Sequence, residues 1–278
     1  MARAPGALRQ RVITALVLAA GLLTLLFVLP ASILWIVGLV ILAGAWEWSA
    51  FLNEERREVR FAFVVLVALG LVLGWQWSAQ PEGFALLLTL SGVWWLIALG
   101  WIVFAPQRGG PVSAAVAGFC ALVPSGVALA RLSEFGTTPR EGAVWLLFSL
   151  VVVMAADTAA YFIGHRFGRT KLAPQVSPGK TWEGVIGGVC ASAAIAVIAA
   201  LWLHWPFASL VLIAVGASAF SVVGDLTESL MKRHAGLKDS GRLFPGHGGV
   251  LDRLDSLTAG IPLFVLGLLK SGLLVGIA

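Results

Sequence analysis

This sequence is short of charge. Asp, Glu, Lys and Arg make up only 12% of its 278 residues, whereas 59% are hydrophobic, and the mean hydropathy is +0.94. A soluble domain needs far more polar cover on its surface, so that class is excluded. Cysteine is nearly missing too. Cys120 and Cys190 are the only two, each within an apolar run and without a metal-ligand partner at a usable spacing. No disulfide or zinc site is expected, and both thiols read as inert and buried. Short alternating strands are also absent, which removes a membrane β-barrel.

What the chain does have is apolar sequence in long runs. A bilayer core of about 30 Å needs about 20 apolar residues per helix, and runs of that length recur from end to end. Nine spans are predicted, near residues 12–29, 31–52, 61–78, 84–105, 112–131, 143–163, 184–203, 207–230 and 257–277. Each must be helical, because backbone facing lipid has to satisfy its hydrogen bonds within its own segment. The fold class is therefore all-α, a polytopic membrane bundle. The opening MARAPGALRQRVITALVLAAGLL is read as the first helix, since its apolar run is long and no small-residue cleavage site follows. Residues 1–110 form an N-terminal set of membrane helices. Residues 111–278 form a second set of membrane helices, with polar loops at 164–183 and 231–256.

Lys and Arg are unevenly distributed between the connections. Alternate connections hold sixteen of the nineteen, from Arg3, Arg9 and Arg11 to Lys232, Arg233, Lys238, Arg242 and Arg253; the opposite set holds only Arg131 and Arg140. The positive-inside rule places the amino terminus and both polar loops in the cytoplasm. Basic residues at membrane edges also account for the isoelectric point near 9.8, so no nucleic-acid partner is implied. Trp46, Trp48, Trp75, Trp77, Trp94, Trp95, Trp101, Trp202 and Trp205 fall mostly toward span ends and read as head-group anchors. Gly184 and Gly188 are a small-xxx-small pair suited to close helix packing.

The few acids are concentrated. Ser218, Ser221, Asp225, Glu228 and Lys232 are spaced 3, 4, 3 and 4 along the eighth span and so share one face. Asp225 and Glu228, one turn apart, would repel unless a cation relieves them. Either a basic side chain or a divalent metal can do so, and an oxygen-only donor set favours Mg²⁺ over zinc. Asp252 and Asp255 add two carboxylates at i, i+3 where the ninth helix begins. Any one of these acids could equally be a helix-end cap or an ion-pair partner of Lys232, Arg233 or Arg253.

Between the acids runs GRLFPGHGGVLDRLD. Gly246, Gly248 and Gly249 let consecutive N–H groups turn inward around phosphate oxygens, and His247 can donate to one of them. With Lys232, Arg233, Lys238 and Arg253 close in sequence, the segment reads as a polyphosphate site. A second constellation, DTAAYFIGHRFGRTKLAPQVSPGKTWEG, supplies Asp157 and Tyr161. It continues to Ser177, Lys180 and Thr181 just ahead of a helix, with Glu183 as a possible capping partner. It is not a P-loop, because Pro174 stands where that motif requires glycine. SPGKT can be an ordinary helix start or a phosphate site.

The stretch from Ser229 to Asp255 resembles the signature of the phosphatidate cytidylyltransferases (CDP-diacylglycerol synthases), S-x-x-K-R-x-x-x-x-K-D-x-G-x-x-x-P-x-H-G-G-x-x-D-R-x-D, with each specified position filled. GDLTES, DTAAYFIGHRFG and SPGKTWEG resemble the family as well, although Gly179 stands where it usually carries a basic residue or Asn. The resemblance implies transfer of a cytidylyl group from CTP to phosphatidate, giving CDP-diacylglycerol and pyrophosphate, with Mg²⁺ and as a homodimer. The attacking phosphate is already anionic, so positioning and charge neutralisation suffice.

On that reading Asp225, Asp252, Lys232, Arg233 and Asp239 carry the chemistry. Asp225 and Asp252 would hold one Mg²⁺ or more, with Asp157, Asp239 and Asp255 as auxiliary ligands. Lys232, Arg233, Lys238 and Arg253 would counter the triphosphate. His247, Gly248 and Gly249 would steady the leaving pyrophosphate, and Ser177, Lys180 and Thr181 would bind nucleotide or lipid phosphate. Phosphatidate would enter sideways from the cytoplasmic leaflet of a bacterial inner membrane. Two other readings fit less of the sequence. A CTP-using polyprenol kinase would need a base for its alcohol, and a lipid transporter would leave the GHGG loop without a purpose.

Overall fold

The structure, a computed structural model, describes residues 20–52, 55–136, 138–237, 240–241 and 249–274. Nine helices run through them: α1 (20–28), α2 (Ile33–Trp48), α3 (Arg57–Trp77), α4 (Pro81–Phe104), α5 (Pro111–Ser133), α6 (Pro139–Phe167), α7 (Trp182–Leu203), α8 (Phe207–His234) and α9 (Leu251–Lys270). Each corresponds to one predicted span. Residues 12–19 of the first span lie outside the described residues. Seven helical stretches, from Pro30–Phe51 to Phe207–His234, are long and apolar enough to cross a membrane. The chain is an integral membrane protein.

Local sequence sets the helix boundaries. Pro81, Pro111 and Pro139 stand at the first positions of α4, α5 and α6, where a missing N–H loses no helical bond. Thr181 caps α7, its hydroxyl accepting the Gly184 N–H at 3.2 Å. His204, left-handed at φ 56°, closes α7. The last helix begins six residues ahead of its predicted start. The apolar run marks only the part of the helix from 257 onward; Asp252 and Asp255 fall in the first turns of α9, at the helix start where their i, i+3 spacing puts them.

One element was not predicted. Lys171–Ala173 (β1) and Ser177–Thr181 (β2) form an antiparallel hairpin, with Lys171 opposite Thr181 and Ala173 opposite Ser177. Such short strands, one carrying Pro178 and Gly179, give no alternating pattern to read.

The bundle is apolar outside as well as inside. Leu39, Phe61, Leu73, Phe104, Val112, Leu201 and Leu212 are exposed, as a surface solvated by lipid tails requires. Inside, small residues let the helices approach. On α5, Ala114, Ala117, Ala121 and Ala128 are buried, and α5 packs against α2, α3, α4, α6 and α9. Gly184 and Gly188 bring α7 onto α6, against the Ala160 and Ala156 carbonyls, which is the packing their spacing predicted. Several buried hydroxyls are satisfied within their own helices: Ser125, Ser149, Ser221 and Thr227 each donate to a carbonyl three or four residues earlier.

Two expectations about side-chain placement need correction. Trp48 and Trp95 are not interfacial anchors; both are buried, and the Trp48 indole donates to the Ala114 carbonyl at 2.8 Å. Cys190 is exposed on α7 rather than buried, and Cys120 is half-buried. Apolar sequence predicts membrane depth, but it does not say which side of a helix faces lipid.

Candidate active site

The two polar constellations converge at one end of the bundle. A cavity of about 380 Å³ opens there, lined by Asp157, Tyr161 and His165 of α6, Ser177 and Lys180 of β2, and Asp225 of α8. The hairpin explains how Lys180 arrives. Its strand runs into the Thr181 cap of α7, so the side chain one residue earlier is held over the cavity at a fixed height.

Lys180 Nζ lies 2.6 Å from Asp225 Oδ2, both side chains being partly exposed to the cavity. Asp157 and Asp255 stand within electrostatic reach of the same ammonium and of Asp225. Three carboxyl groups are thus gathered around one lysine. The Ser229 hydroxyl approaches Asp225 Oδ1 at a long 3.4 Å.

A second, drier group lies one turn further along α8. Lys232 Nζ sits 2.8 Å from Glu228 Oε1 and 2.8 Å from Asp252 Oδ1. Glu228 is 1% exposed, and its Oε2 has no hydrogen-bond partner among the described residues. The cation that the Asp225–Glu228 spacing demanded is therefore two cations, Lys180 for the first acid and Lys232 for the second. Asp225 and Asp252, expected to share a metal, stand in separate ion pairs here.

Asp252 is further held by the Gly249 N–H, which donates to its Oδ2 at 2.8 Å. That amide is thus occupied with the start of α9. The Thr181 hydroxyl is likewise taken by its cap and is buried among Gly164, Gly168 and Gly184. Glu183 does not complete a capping box with Thr181: its carboxylate accepts the Thr170 N–H, at 3.1 and 3.2 Å for its two oxygens, so it ties the hairpin's entry to α7. Arg233 donates to the Val176 carbonyl at 3.4 Å, bracing the hairpin turn from α8. Arg253 is exposed on α9. Lys238, Asp239, His247 and Gly248 lie outside the described residues.

The groups gathered around Asp225, the carboxyls of Asp157 and Asp255 and the Ser229 hydroxyl, offer oxygen, the donor type that suits a hard divalent cation. Among the described residues, no three acid, His or Cys side chains converge on a single ion position in the present arrangement.

One residue escaped the sequence reading. Glu47 of α2 is buried, and its Oε2 accepts the Leu251 N–H at 2.8 Å. An acid inside a predicted span was the available signal. Its partners, some two hundred residues away, were not.

The sequence profile of the cytidylyltransferase family matches residues 9–269. A phosphatidate cytidylyltransferase of Pseudomonas aeruginosa is 41% identical over 273 residues, covering 95% of this chain and 98% of that protein. One from Haemophilus influenzae is 38% identical over 283 residues, covering 92% and 97%. A third, from Brucella suis, is 37% identical over 269 residues, covering 93% and 92%. With a match that spans nearly the full length and takes in both walls of the cavity, the chain belongs to the cytidylyltransferase family.

Proposed function

We propose that this chain transfers the cytidylyl group of CTP to phosphatidate, giving CDP-diacylglycerol and pyrophosphate at the cytoplasmic face of a bacterial inner membrane. The observation that carries the reading is the cavity where Lys180 meets Asp225, with the polar groups of Asp157, His165 and Ser177 set in a largely apolar wall of membrane helices. A soluble nucleotide and a lipid headgroup can both reach such a place.

The lipid phosphate oxygen attacks the α-phosphorus of CTP while the bond from that phosphorus to the β-phosphate oxygen breaks. No proton has to be removed from the nucleophile, so the residues act by orientation and charge. Lys180, swinging from Asp225 to an incoming phosphate, neutralises part of the charge that gathers on the transferring group. Ser177 lies beside it on β2 and donates to the same phosphate. Lys238, Arg253 and His247 counter the remaining phosphates. Asp225 and Asp252, with Asp157 and Asp255 nearby, would hold Mg²⁺. Bound there, the ion would neutralise the triphosphate and the departing pyrophosphate. Lys232 and Arg233 hold the frame, one between Glu228 and Asp252 and the other against the hairpin turn.

The basic bias of the connections supports a cytoplasmic site, and the family resemblance supports a homodimer. The deciding experiment gives the purified protein, in mixed micelles with phosphatidate, CTP labelled at the α-phosphate, with and without Mg²⁺. Label in the lipid fraction is expected only with Mg²⁺. Label that stays in CDP while a lipid alcohol becomes phosphorylated would overturn the reading in favour of a kinase.

A further inference from the structure

Glu47 belongs to α2, in the part of the chain that carries none of the motifs, yet it ends up against the most polar loop. Its side chain is 6% exposed. Its Oε2 accepts the N–H of Leu251, the first residue of α9. That N–H is one of the four at a helix start that no carbonyl of the same helix can take. A negative charge there also complements the positive end of the helix dipole. Burying a carboxylate is unfavourable unless it is hydrogen-bonded, so the contact serves both partners.

The surroundings of Glu47 are shaped to admit it. A Cβ on Gly241 would run into Oε1, and one on Gly249 would run into Oε2. These two glycines stand on either side of residues 242–248, the heart of the GHGG segment. A single carboxylate therefore touches both stems of that loop. Oε1 has no hydrogen-bond partner among the described residues and faces Gly241. From Leu251 the influence passes along the backbone: the Gly249 N–H donates to Asp252 Oδ2, and Asp252 Oδ1 accepts from Lys232.

We infer that Glu47 is a positioning residue for cytidylyl transfer, a buried acceptor on α2 that fixes the backbone from Gly249 to Leu251. Through that backbone it sets the Asp252 carboxylate and the stems of the glycine-rich loop. The inference rests on the reaction proposed above. It assigns to the N-terminal helices a direct part in building the site.

The test compares Glu47→Gln, Glu47→Asp and Glu47→Ala in the full-length protein. Glutamine keeps an acceptor oxygen at the same reach; aspartate, one methylene shorter, and alanine do not. Amide hydrogen exchange at Leu251 is expected to quicken about tenfold in the aspartate and alanine variants and to stay near wild type in the glutamine variant. Label transfer from CTP should follow the same order. In the aspartate and alanine variants the KM for CTP should rise and kcat fall about tenfold, while the KM for phosphatidate stays unchanged.

A merely structural Glu47 would reduce the amount of active protein and leave both KM values alone, which would overturn the proposal. Wild-type exchange at Leu251 in the aspartate variant would overturn it too. If the alanine variant fails to insert, the aspartate and glutamine pair decides. Absence of label transfer by the wild-type protein would sink the proposed reaction instead, and the exchange data would still report whether Glu47 holds the loop.

Discussion

Lys180 reaches from the β-hairpin to place its ammonium 2.6 Å from Asp225 on α8, joining two segments that the sequence separates by a full transmembrane helix. The pair lies at the cavity mouth, where each partner is partly open to solvent. It is therefore not locked in the way a dry ion pair is, and a phosphate can compete with the carboxylate for the lysine. The ion pair reads as a resting arrangement that substrate rearranges.

Removing the acid should therefore be worse for turnover than for folding. Asp225→Asn is expected to lower cytidylyl transfer by about 10²-fold or more with little change in the midpoint of thermal unfolding in detergent. Lys180→Ala should raise the KM for CTP or phosphatidate as well as lower kcat, and Lys180→Arg should recover part of the loss. Steady-state kinetics on the three purified variants checks this. Near wild-type turnover by Asp225→Asn would remove it from the site.

Lys232 differs because its partner Glu228 has almost no access to solvent. Deleting one member of a buried pair leaves the other charge uncompensated, at about 3–5 kcal/mol. Lys232→Met is expected to lower the unfolding midpoint clearly, and Glu228→Gln added to it should restore much of the loss. The double variant should still be slow, because Asp252 has also lost its cation. Thermal unfolding of the two single variants and the double variant measures the coupling, and strict additivity would count against the buried pair.

Much of this site is legible in the sequence for a simple reason. Apolar runs fix the spans, and the 3, 4, 3, 4 spacing from Ser218 to Lys232 puts the polar stripe of α8 on one face without knowledge of any neighbour. Partner choice is not local. Nothing near Lys180 states that it will meet Asp225, because the meeting depends on the crossing of α6, α7 and α8 and on a hairpin too short to announce itself. Glu47 lacks even a motif around it. A glycine amide and a hydroxyl suit phosphate chemically, and the sequence does not say that in the fold the Gly249 N–H meets Asp252 and the Thr181 oxygen caps α7.

Charge balance leads to an expectation about metal. Asp157, Asp225 and Asp255 are gathered around Lys180, and CTP brings negative charge to the same cavity. Chelation with EDTA is expected to abolish label transfer and Mg²⁺ to restore it. Asp157→Asn should shift the half-saturating Mg²⁺ concentration upward without abolishing turnover. Full activity after exhaustive chelation would show that basic residues alone carry the neutralisation.

Thr181 allows structure and catalysis to be separated at one position. Its hydroxyl accepts the Gly184 N–H at the start of α7 and lies against Gly164, and its methyl group packs against Gly168 at the end of α6. Losing an N-cap oxygen is worth about 1 kcal/mol, and a fraying first turn of α7 would loosen the strand that carries Lys180. Thr181→Ser keeps the cap and should leave activity near wild type. Thr181→Val keeps the shape but loses the oxygen, so the unfolding midpoint should fall modestly and the kinetic defect should resemble a mild form of Lys180→Ala. If valine instead leaves the unfolding midpoint untouched while the KM for CTP rises steeply, the hydroxyl binds substrate directly and the cap is incidental.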